Sequence, residues 1–325
     1  MVRQAFNKNK INNLLFSDET IDSIGAGYAP AHITTIFEIF NSDPEPLKCG
    51  SRGIGFCIDK GISTFISIKT DTKQDIQVLF NNKEIAGETT ISTIRNLIGD
   101  LNVKIQVFSY TELPQSQGFG LSGAGALSSA IALNSALNLK LNYSELVNAA
   151  HSAEIYNKTG LGDVVAQATG GVVFREQQGA FKFGKIKNIK IRPKLKELVI
   201  CILGQELSTS KIITDERYIR SINMGAKKYL SELQKIMTNN TISFTELTKL
   251  SFSFVKESEL LDSNVLKLIK RIQLESAGFA SMIMLGNAIF SVGNTKKIQT
   301  ICEECGHTFV CNIDSLPAIS IERIK

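Results

Sequence analysis

The chain has 325 residues, and its 43% apolar and 21% charged residues are typical of a soluble globular protein with a substantial core. No segment approaches the roughly 18 apolar residues of a membrane helix, and no apolar stretch of a secretory signal follows the basic N-terminus. We therefore expect a cytoplasmic protein, which at about 100–200 residues per domain would form two domains. The net charge of +5 is mild, and it fits both an enzyme that handles anions and an ordinary solvated surface.

The first third of the chain is predicted to be mainly strands. Residues 1–22 are polar and rich in asparagine and lysine, and we predict them to be an N-terminal extension. The segment 23–40 indicates a strand, a break at the glycine and proline of GYAP, and a second apolar segment. Alternating apolar residues, with a turn at Lys60-Gly61, predict strands at 53–59, 63–69, 75–80 and 103–109. A helix is predicted at 90–99.

The next segment alternates glycine-rich turns with helices. A polar loop containing Pro114 leads to a glycine-rich turn, and a long run of small and apolar residues at helical spacing follows. A second helix is predicted from Ser144 to about Asn157, with Asn142 or Ser144 as its N-cap. Residues 160–171 form another glycine-rich stretch, after which GVVF returns as a strand.

Beyond about residue 180 the pattern starts again, which predicts a second domain. Apolar segments predict buried strands at 199–204 and 287–293 and helices at 210–237, 257–273 and 275–285. We therefore divide the chain into an extension (1–22), an N-terminal domain (23–185) and a C-terminal domain (186–325).

Two segments suggest nucleic-acid or metal binding, and we interpret both otherwise. Seven Lys and Arg residues lie in 182–196 and interleave with Phe183 and isoleucines, but they form no aromatic platform on which bases could stack. We predict a basic-edged strand or loop there and no nucleic-acid partner. The segment ICEECGHTFVC resembles a zinc knuckle through Cys302, Cys305, His307 and Cys311. Its apolar spacing favours a helix with a glycine C-cap followed by a strand, so we expect no zinc there.

The strongest local signal for function is GFGLSGAG ahead of a helix. Glycines allow backbone N–H groups to approach a phosphate closely, and a helix N-terminus adds unpaired donors. The loop therefore suits the phosphates of a nucleotide, with a flexible turn or tight helix packing as an equal alternative. The spacing also fits GxGxxG, but Lys140 and Leu141 stand where a dinucleotide fold needs an acid. GxxxxGK[ST] is absent, which excludes an ordinary P-loop.

Two further motifs carry acids. His151 and Glu154 are three residues apart and share one helix face, which by itself favours a solvated face. Asp163 ends a glycine-rich GLGD, where an acid is either a turn former or a catalytic group held close to a substrate. Phosphoryl transfer needs a phosphate cradle, oxygen ligands for Mg²⁺ and an acid near the attacking hydroxyl. Ser122, Glu154 and Asp163 could supply the ligands and the acid.

The segment PQSQGFGLSGAGA resembles the phosphate-loop motif of the GHMP kinase superfamily, and further motifs resemble the archaeal pantoate kinases. GYAPAHITTIFEI is similar to their opening APGHITGFF, and CGSRGIGF is similar to their GSRGAG. HSAEIYNKTGLGDVVAQATGG is similar to their HxAE and GTGLGDVVAQ, and ELSTSKII and ASMIMLGNAIF are similar to their C-terminal motifs. The resemblance covers most of the chain from about Gly25. Ala31 and Thr35 depart from it by replacing glycines of the opening motif.

The resemblance implies a two-domain α/β fold, with the nucleotide loop in the N-terminal domain, and a role for each site residue. Ser122 and Glu154 would bind Mg²⁺, and Asp163 would act as the base near the acceptor hydroxyl. The ATP-binding loop would comprise Gly118, Gly120, Leu121, Ser122, Gly123, Ala124 and Gly125. The acceptor site would comprise Ser51, His151, Arg175, Thr209 and His32. In that site Arg175 would bind a carboxylate, while His32 is alternatively a structural histidine of the opening turn.

The function implied by the resemblance is ATP-dependent phosphorylation of pantoate to 4-phosphopantoate, on the way to coenzyme A. One alternative is another GHMP kinase, acting on homoserine, mevalonate or a shikimate-like alcohol. A second alternative is a nucleotide-binding regulator that has lost catalysis, and a nicotinamide-dependent enzyme is more distant. The chain could also form a homodimer, for which the sequence holds no signal.

Overall fold

The computed structural model describes residues 21–195, 197–204 and 209–321, which fold around two β-sheets. The strands are β1 (Ser23–Phe40), β2 (Gly50–Thr70), β3 (Asp75–Phe80), β4 (Lys83–Ile85), β5 (Val103–Tyr110), β6 (Val172–Gln177), β7 (Lys185–Ile191), β8 (Leu198–Ile202), β9 (Thr241–Ile242), β10 (Gly278–Met282), β11 (Ala288–Gly293), β12 (His307–Cys311) and β13 (Ile319–Ser320). The described α-helices are α1 (Glu88–Ile98), α2 (Leu121–Leu137), α3 (Tyr143–Tyr156), α4 (Asp163–Thr169), α5 (Thr209–Thr214), α6 (Glu216–Ile236), α7 (Phe244–Glu257), α8 (Ser263–Leu274) and α9 (Thr295–Glu303). All but the last two residues of the predicted extension lie outside the described residues.

The larger sheet carries the N-terminal half of the chain. Its strands run in the order β4-β3-β5-β2-β6-β7-β9, and β1 pairs with both β2 and β13. The pairs β3–β5 and β7–β9 are parallel, and the other pairs of this sheet are antiparallel. The smaller sheet has the order β10-β11-β8-β12 and is antiparallel. The chain changes sheet between β7 and β8, and only the short strands β9 and β13 return to the larger one.

Helix α2 is the central helix of the N-terminal half and packs directly on β1. All of its residues from Gly123 to Leu133 are buried, as expected for a helix that is apolar on every side. Its backbone lies so close to β1 that a Cβ atom on Gly25 would collide with the carbonyl oxygen of Ala132, and one on Gly27 with that of Ser128. These two glycines therefore fix the distance between the helix and the sheet.

The predicted break in the first strand and the predicted turn in the second are both wrong. β1 runs unbroken through Pro30, and β2 runs unbroken through Lys60 and Gly61. The two strands pair along their length, and the register shifts between Pro30 and Ala31, opposite the extra residues of β2. A bulge accepts a proline that cannot donate a ladder hydrogen bond, so the residues interpreted as breaks mark a bulge instead.

The predicted helices at 90–99 and from Ser144 to about Asn157 are confirmed. α1 and α3 lie within a residue or two of their predicted bounds. Asn142 is the N-cap of α3, and it forms a capping box with Glu145. The predicted helical segment 210–237 is also confirmed, although Asp215 interrupts it as the N-cap of α6.

Two predictions in the C-terminal half are wrong. The predicted helix at 275–285 is the strand β10, which pairs with β11. A short apolar run does not distinguish a buried strand from a buried helix, and here the neighbouring strand decides. The predicted helix at 257–273 begins only at Ser263, and α7 was not predicted. Its capping box of Ser243 and Glu246 was a readable start signal.

The cysteine-rich segment forms the predicted helix α9 and the predicted strand β12. Gly306 is not the predicted C-cap, because the helix ends at Glu303 and Glu304 is its C-cap. A Cβ atom on Gly306 would instead collide with the carbonyl oxygen of Ile202, so the glycine allows a close backbone approach. Within the described residues no cluster of His, Cys, Asp and Glu could hold a metal ion. The absence of zinc stays a prediction.

The basic segment forms the predicted strand at its centre, β7, which pairs with β6. Lys185 and Lys187 form ion pairs with Glu176 at 3.3 and 2.6 Å, so part of its positive charge is neutralised within the sheet. Lys196 lies outside the described residues. None of the helices in the described part of the chain is long and apolar enough to cross a membrane.

Candidate active site

A cavity of about 620 Å³ lies where the larger sheet, α1, α2 and the smaller sheet meet. Its walls include the first turns of α1 and α2, the loops 115–120 and 158–163, the start of α5, and Met284 and Leu285 beside the smaller sheet. This volume is typical of sites for small molecules and cofactors. The residues named from the sequence gather on or directly behind these walls.

The glycine-rich loop leads into α2 at one wall of the cavity. Gly120 is the N-cap of α2 and has a positive φ of 62°, a conformation that glycine adopts without strain. No side chain in the described ranges caps this helix, so N–H groups of its first turn are left for a ligand. Gly118, Leu121, Ser122 and Gly125 also line the cavity, whereas Gly123 and Ala124 are buried behind it.

Both halves of the chain hold the glycine-rich loop in place. A Cβ atom on Gly118 would collide with the carbonyl oxygen of Met284, which shows how closely the loop packs on the turn before β11. The backbone N–H of Asn287 donates to the side-chain oxygen of Gln117 at 3.2 Å. On the other side, the N–H of His32 donates to the carbonyl oxygen of Phe119 at 3.0 Å. The loop is therefore fixed before any ligand binds.

Glu154 is fully buried on α3, and its carboxylate forms no ion pair with any described residue. Neither carboxylate oxygen accepts a hydrogen bond from any residue that the structure describes. Burial raises the pKa of Glu154 well above its ordinary value and the charge of Asp163 raises it further, while the nearby backbone N–H of Val164 and the charge of Arg175 oppose this change. Cβ atoms on Gly160 and Gly123 would collide with the carboxylate, so both glycines keep its surroundings open. The carboxylate thus lies against Gly123, which follows the loop serine Ser122, and a buried acid there fits a divalent cation with oxygen ligands.

Hydroxyl groups connect Ser122 to the first turn of α1. The hydroxyl of Ser122 donates to that of Thr89 at 3.1 Å, and Thr89 lies 3.0 Å from the hydroxyl of Thr159. Lys158 comes next to Thr159 and is exposed at the cavity. It is the only lysine, arginine or histidine among the described residues that line the cavity. This corner therefore combines hydroxyl donors with a cation, which suits an anionic ligand.

Asp163 is the first residue of α4, and its side chain reaches the cavity surface with 22% exposure. Its Oδ1 accepts a hydrogen bond from Nδ1 of His32 at 2.6 Å. A Cβ atom on Gly120 would lie 3.0 Å from its Cγ, so the carboxylate is next to the glycine-rich loop. The acid is thus placed within the cavity beside the predicted phosphate site.

Arg175 lies behind the cavity wall rather than on it. The side chain is 2% exposed, and its Nε donates to the carbonyl oxygen of Ser51 at 3.3 Å. A Cβ atom on Gly162 would lie 2.5 Å from the Ser51 hydroxyl and 2.8 Å from the Arg175 Nε. Burial lowers the pKa of Arg175, and the charges of Asp163 and Glu154 oppose that change. Its Nη1 has no hydrogen-bond partner in the described chain.

The two other predicted acceptor residues differ in position. Thr209 lines the cavity at the start of α5, and the residues just before it, 205–208, lie outside the described residues. His151 is 1% exposed, and its Nε2 donates to the carbonyl oxygen of Cys49 at 3.0 Å. Burial lowers the pKa of His151 to about 4, so the ring is neutral. His151 faces the segment before Ser51 and does not reach the cavity.

The structure thus brings together most, but not all, of the predicted site. Ser51, Gly118, Gly120, Leu121, Ser122, Gly125, Asp163 and Thr209 line the cavity. Gly123, Ala124, Glu154, Arg175 and His32 lie behind its wall, and His151 lies further away. Lys158 and Thr89 were not predicted from the sequence. The position of Lys158, directly before TGLGD, was the available signal, whereas nothing local marks Thr89.

Known proteins are similar to this chain in sequence and in fold. The family described as "GHMP kinases N terminal domain" matches residues 87–171, which contain the glycine-rich loop, Glu154 and Asp163. Over 289 residues the chain is 31% identical to the pantoate kinase of Methanocaldococcus jannaschii, an alignment that covers 88% of this chain and 99% of that one. The chain belongs to the pantoate kinase family. The resemblance described from its motifs is therefore confirmed.

Further relatives support membership in the pantoate kinase family and its fold. The pantoate kinase of Thermococcus kodakarensis is 31% identical over 271 residues, which cover 82% of this chain and 86% of that protein. A solved structure described as "Phosphotransferase related to CoA biosynthesis pathway" superposes with a TM-score of 0.79 and 27% identity. It covers 91% of this chain and 98% of its own. The predicted mixed α/β GHMP kinase architecture is thus confirmed.

Proposed function

We propose that this chain transfers the terminal phosphoryl group of ATP to the 4-hydroxyl of pantoate, a step on the way to coenzyme A. One observation carries the proposal. In a member of the pantoate kinase family, a free helix N-terminus and the acid Asp163 line one cavity, and the buried acid Glu154 lies behind its wall. These are the parts that phosphoryl transfer needs.

On the nucleotide side, the first turn of α2 and the hydroxyl corner bind the phosphates of ATP. The backbone N–H groups after Gly120 donate hydrogen bonds to the phosphates. The positive end of the helix dipole lies behind them. Lys158 supplies the positive charge on this side of the cavity, and Thr89 orients the hydroxyl of Ser122. Because charge-assisted hydrogen bonds are stronger than neutral ones, Lys158 contributes more per contact than the hydroxyls.

Glu154 and Ser122 would hold Mg²⁺. The unpaired buried oxygens of Glu154 and the hydroxyl of Ser122 match the hard oxygen ligands that this ion takes together with substrate phosphates. When bound, the ion neutralises charge on the triphosphate. The bound ion would also stabilise the ionised form of Glu154, because burial of a carboxylate without a partner costs free energy.

Asp163 acts on the acceptor. Its carboxylate accepts a hydrogen bond from the 4-hydroxyl of pantoate and directs the oxygen at the terminal phosphoryl group. The transition state of phosphoryl transfer is loose, so orientation contributes at least as much as early proton removal. The proton passes to Asp163 as the hydroxyl oxygen bonds to the terminal phosphorus and the bond from that phosphorus to the bridging oxygen breaks, which releases ADP.

The acceptor binds beside Ser51 and Thr209, the two predicted acceptor residues that line the cavity. Arg175 lies directly behind Ser51 with an unpaired Nη1, and we propose that it attracts the pantoate carboxylate to this wall. His151 supports the wall from behind through Cys49, in place of the substrate contact predicted from the sequence.

Other proposals concern the chain as a whole. We propose that residues 23–185 form the nucleotide-binding domain and residues 186–325 form the domain that closes the cleft. The change of sheet supports two domains, although it lies between Ile191 and Leu198 and so places the boundary after β7. The homodimer, the cytoplasmic location and the lack of a nucleic-acid partner stay predictions.

The first test is a substrate screen. With ATP and Mg²⁺, the purified protein is expected to release ADP well above its background only when pantoate is added, because the acceptor site is matched to that hydroxy acid. A coupled ADP assay compares pantoate with homoserine, mevalonate and shikimate at equal concentrations. Turnover of homoserine or mevalonate without turnover of pantoate would contradict the proposal. ATP binding with no turnover of any acceptor would favour the inactive regulator.

Arg175→Ala is expected to raise the KM for pantoate strongly and to leave the KM for ATP almost unchanged. Loss of a hydrogen bond to a charged group costs about 1.5–3 kcal/mol, which corresponds to roughly 10- to 150-fold in kcat/KM. Arg175→Lys should recover only part of this, because an ammonium cannot bind a carboxylate through two parallel bonds.

The matched control for Arg175 is Arg52→Ala. Arg52 lies on the same sheet but does not line the cavity, and it forms an ion pair with Glu38 at 3.6 Å. Its removal should leave both KM values unchanged. If Arg175→Ala lowers the melting temperature with a normal pantoate KM, or mainly raises the ATP KM, Arg175 does not bind the acceptor.

A further inference from the structure

His32 is buried beneath the cavity wall and its ring contacts the proposed catalytic acid. The side chain is fully buried, whereas that of Asp163 is 22% exposed to the cavity. Nδ1 of His32 lies 2.6 Å from Oδ1 of Asp163, a short distance typical of a hydrogen bond to a charged group. The His32 ring is therefore not exposed to the cavity and does not contact a substrate there, but it contacts Asp163, which is exposed to the cavity.

The surroundings of the ring fix which nitrogen carries the proton. Nε2 packs against Gly55, where a Cβ atom would collide with it, and no described residue hydrogen-bonds to it. Burial lowers the pKa of His32, and the hydrogen bond and charge of Asp163 raise it only in part. A neutral ring protonated on Nδ1 leaves only a lone pair unpaired at Nε2. A charged ring would leave a buried N–H donor unpaired, which costs more.

The backbone of His32 is itself held firmly. The residue lies in β1 opposite Cys57 of β2, and its N–H donates to the carbonyl oxygen of Phe119 in the glycine-rich loop at 3.0 Å. The imidazole is thus carried by the sheet and tied to the phosphate loop. Through it, the carboxylate of Asp163 has a fixed orientation relative to the nucleotide site.

We propose that His32 is a positioning residue for Asp163: its Nδ1–H binds Oδ1 and so directs Oδ2 at the hydroxyl of the acceptor. This inference rests on the proposed function, since it assumes that Asp163 acts on an acceptor alcohol. It replaces the contact between His32 and the substrate that the sequence predicted. The ring restricts the rotation of one carboxylate and touches neither substrate.

The kinetic test compares two variants of similar bulk. His32→Leu removes the donor, whereas His32→Asn can place its amide N–H near the position of Nδ1. His32→Leu is expected to lower kcat about 10- to 100-fold and to change the KM for ATP and for the acceptor less than about threefold. His32→Asn should recover most of kcat. A raised acceptor KM with normal kcat would overturn the proposal in favour of a substrate contact.

A double-mutant cycle separates positioning from a purely structural role. If His32 acts only through Asp163, then His32→Leu should change the residual activity of an Asp163→Asn background less than about threefold. The same fold-loss in both backgrounds would mean that His32 merely supports the fold, and the proposal would fail. The assay uses whichever acceptor the wild-type chain phosphorylates, so an error about pantoate does not affect the result.

A measurement without turnover tests the hydrogen bond itself. The chain has three histidines, so ¹⁵N-histidine labelling gives a simple spectrum. His32 is expected as the neutral Nδ1–H tautomer, and Asp163→Asn should shift its signals. His151 is the internal control with the opposite tautomer, because its Nε2 donates to Cys49. An Nε2–H or doubly protonated ring at His32 would overturn the inference even where the protein is an active kinase.

Discussion

Asp163→Asn is expected to lower kcat by about 10²- to 10⁴-fold, the usual contribution of a general base, while the fold and ATP binding stay close to normal. Asparagine is nearly isosteric and can begin α4 as aspartate does. Its amide oxygen would turn toward the donor Nδ1–H of His32. The amide NH₂ group then faces the acceptor hydroxyl, so a donor meets a donor where a proton acceptor is needed.

The measurement is a steady-state assay paired with nucleotide binding by calorimetry. Glu88→Gln is the matched control, because Glu88 is the other acid in the described cavity wall and is exposed there. The control should stay within a few-fold of wild type. A loss of less than about tenfold in Asp163→Asn would remove Asp163 from the catalytic role, and equal losses in both variants would point to a general effect of cavity charge.

Glu154→Gln is expected to weaken Mg²⁺ binding and to lower activity about 100-fold or more at limiting Mg²⁺, since a charged ligand is replaced by a neutral one. Titration of Mg²⁺ against activity, and against ADP affinity without an acceptor, measures both effects. Wild-type activity at limiting Mg²⁺ would mean that Glu154 is only a buried helix residue.

The same substitution should stabilise the protein when no cation is bound. The folded pKa of Glu154 is raised, so its ionisation destabilises the folded state as the pH rises above the ordinary value near 4.5. Glu154→Gln removes this loss of stability, because glutamine does not ionise. The gain in melting temperature over wild type, measured in chelator, should therefore be small at pH 4 and larger at pH 8. A lower melting temperature at both values would contradict the view that the carboxylate is unpaired.

The sequence was most informative where the residues that form the site lie close together in the chain. The glycine-rich loop, Glu154 and Asp163 lie in short motifs, and the family resemblance gives each a position. The partner of Asp163 was not predictable, because His32 is 131 residues away in the chain and only the β1–β2 pairing places it there. The burial of Arg175 behind Ser51 likewise depends on how β6 pairs with β2.

Elements were misassigned where local preference was weak and distant packing decided. Pro30 is a plausible strand break when considered alone, yet a bulge in the partner strand absorbs it. The apolar segment that forms β10 fits a helix equally well, and only its pairing with β11 selects the strand. The helix α3 was predicted well, because its start signal at Asn142 is local.

The close approach of α2 to β1 limits which substitutions this protein can accept. Any side chain at Gly25 or Gly27 would push against the backbone of α2, whose other end begins at Leu121 and carries Ser122. A substitution far from the cavity would therefore tilt the phosphate loop. Laboratory evolution of new acceptor specificity is expected to accept changes around Thr209 and Ile213, which line the cavity, while rejecting nearly all changes at the two glycines.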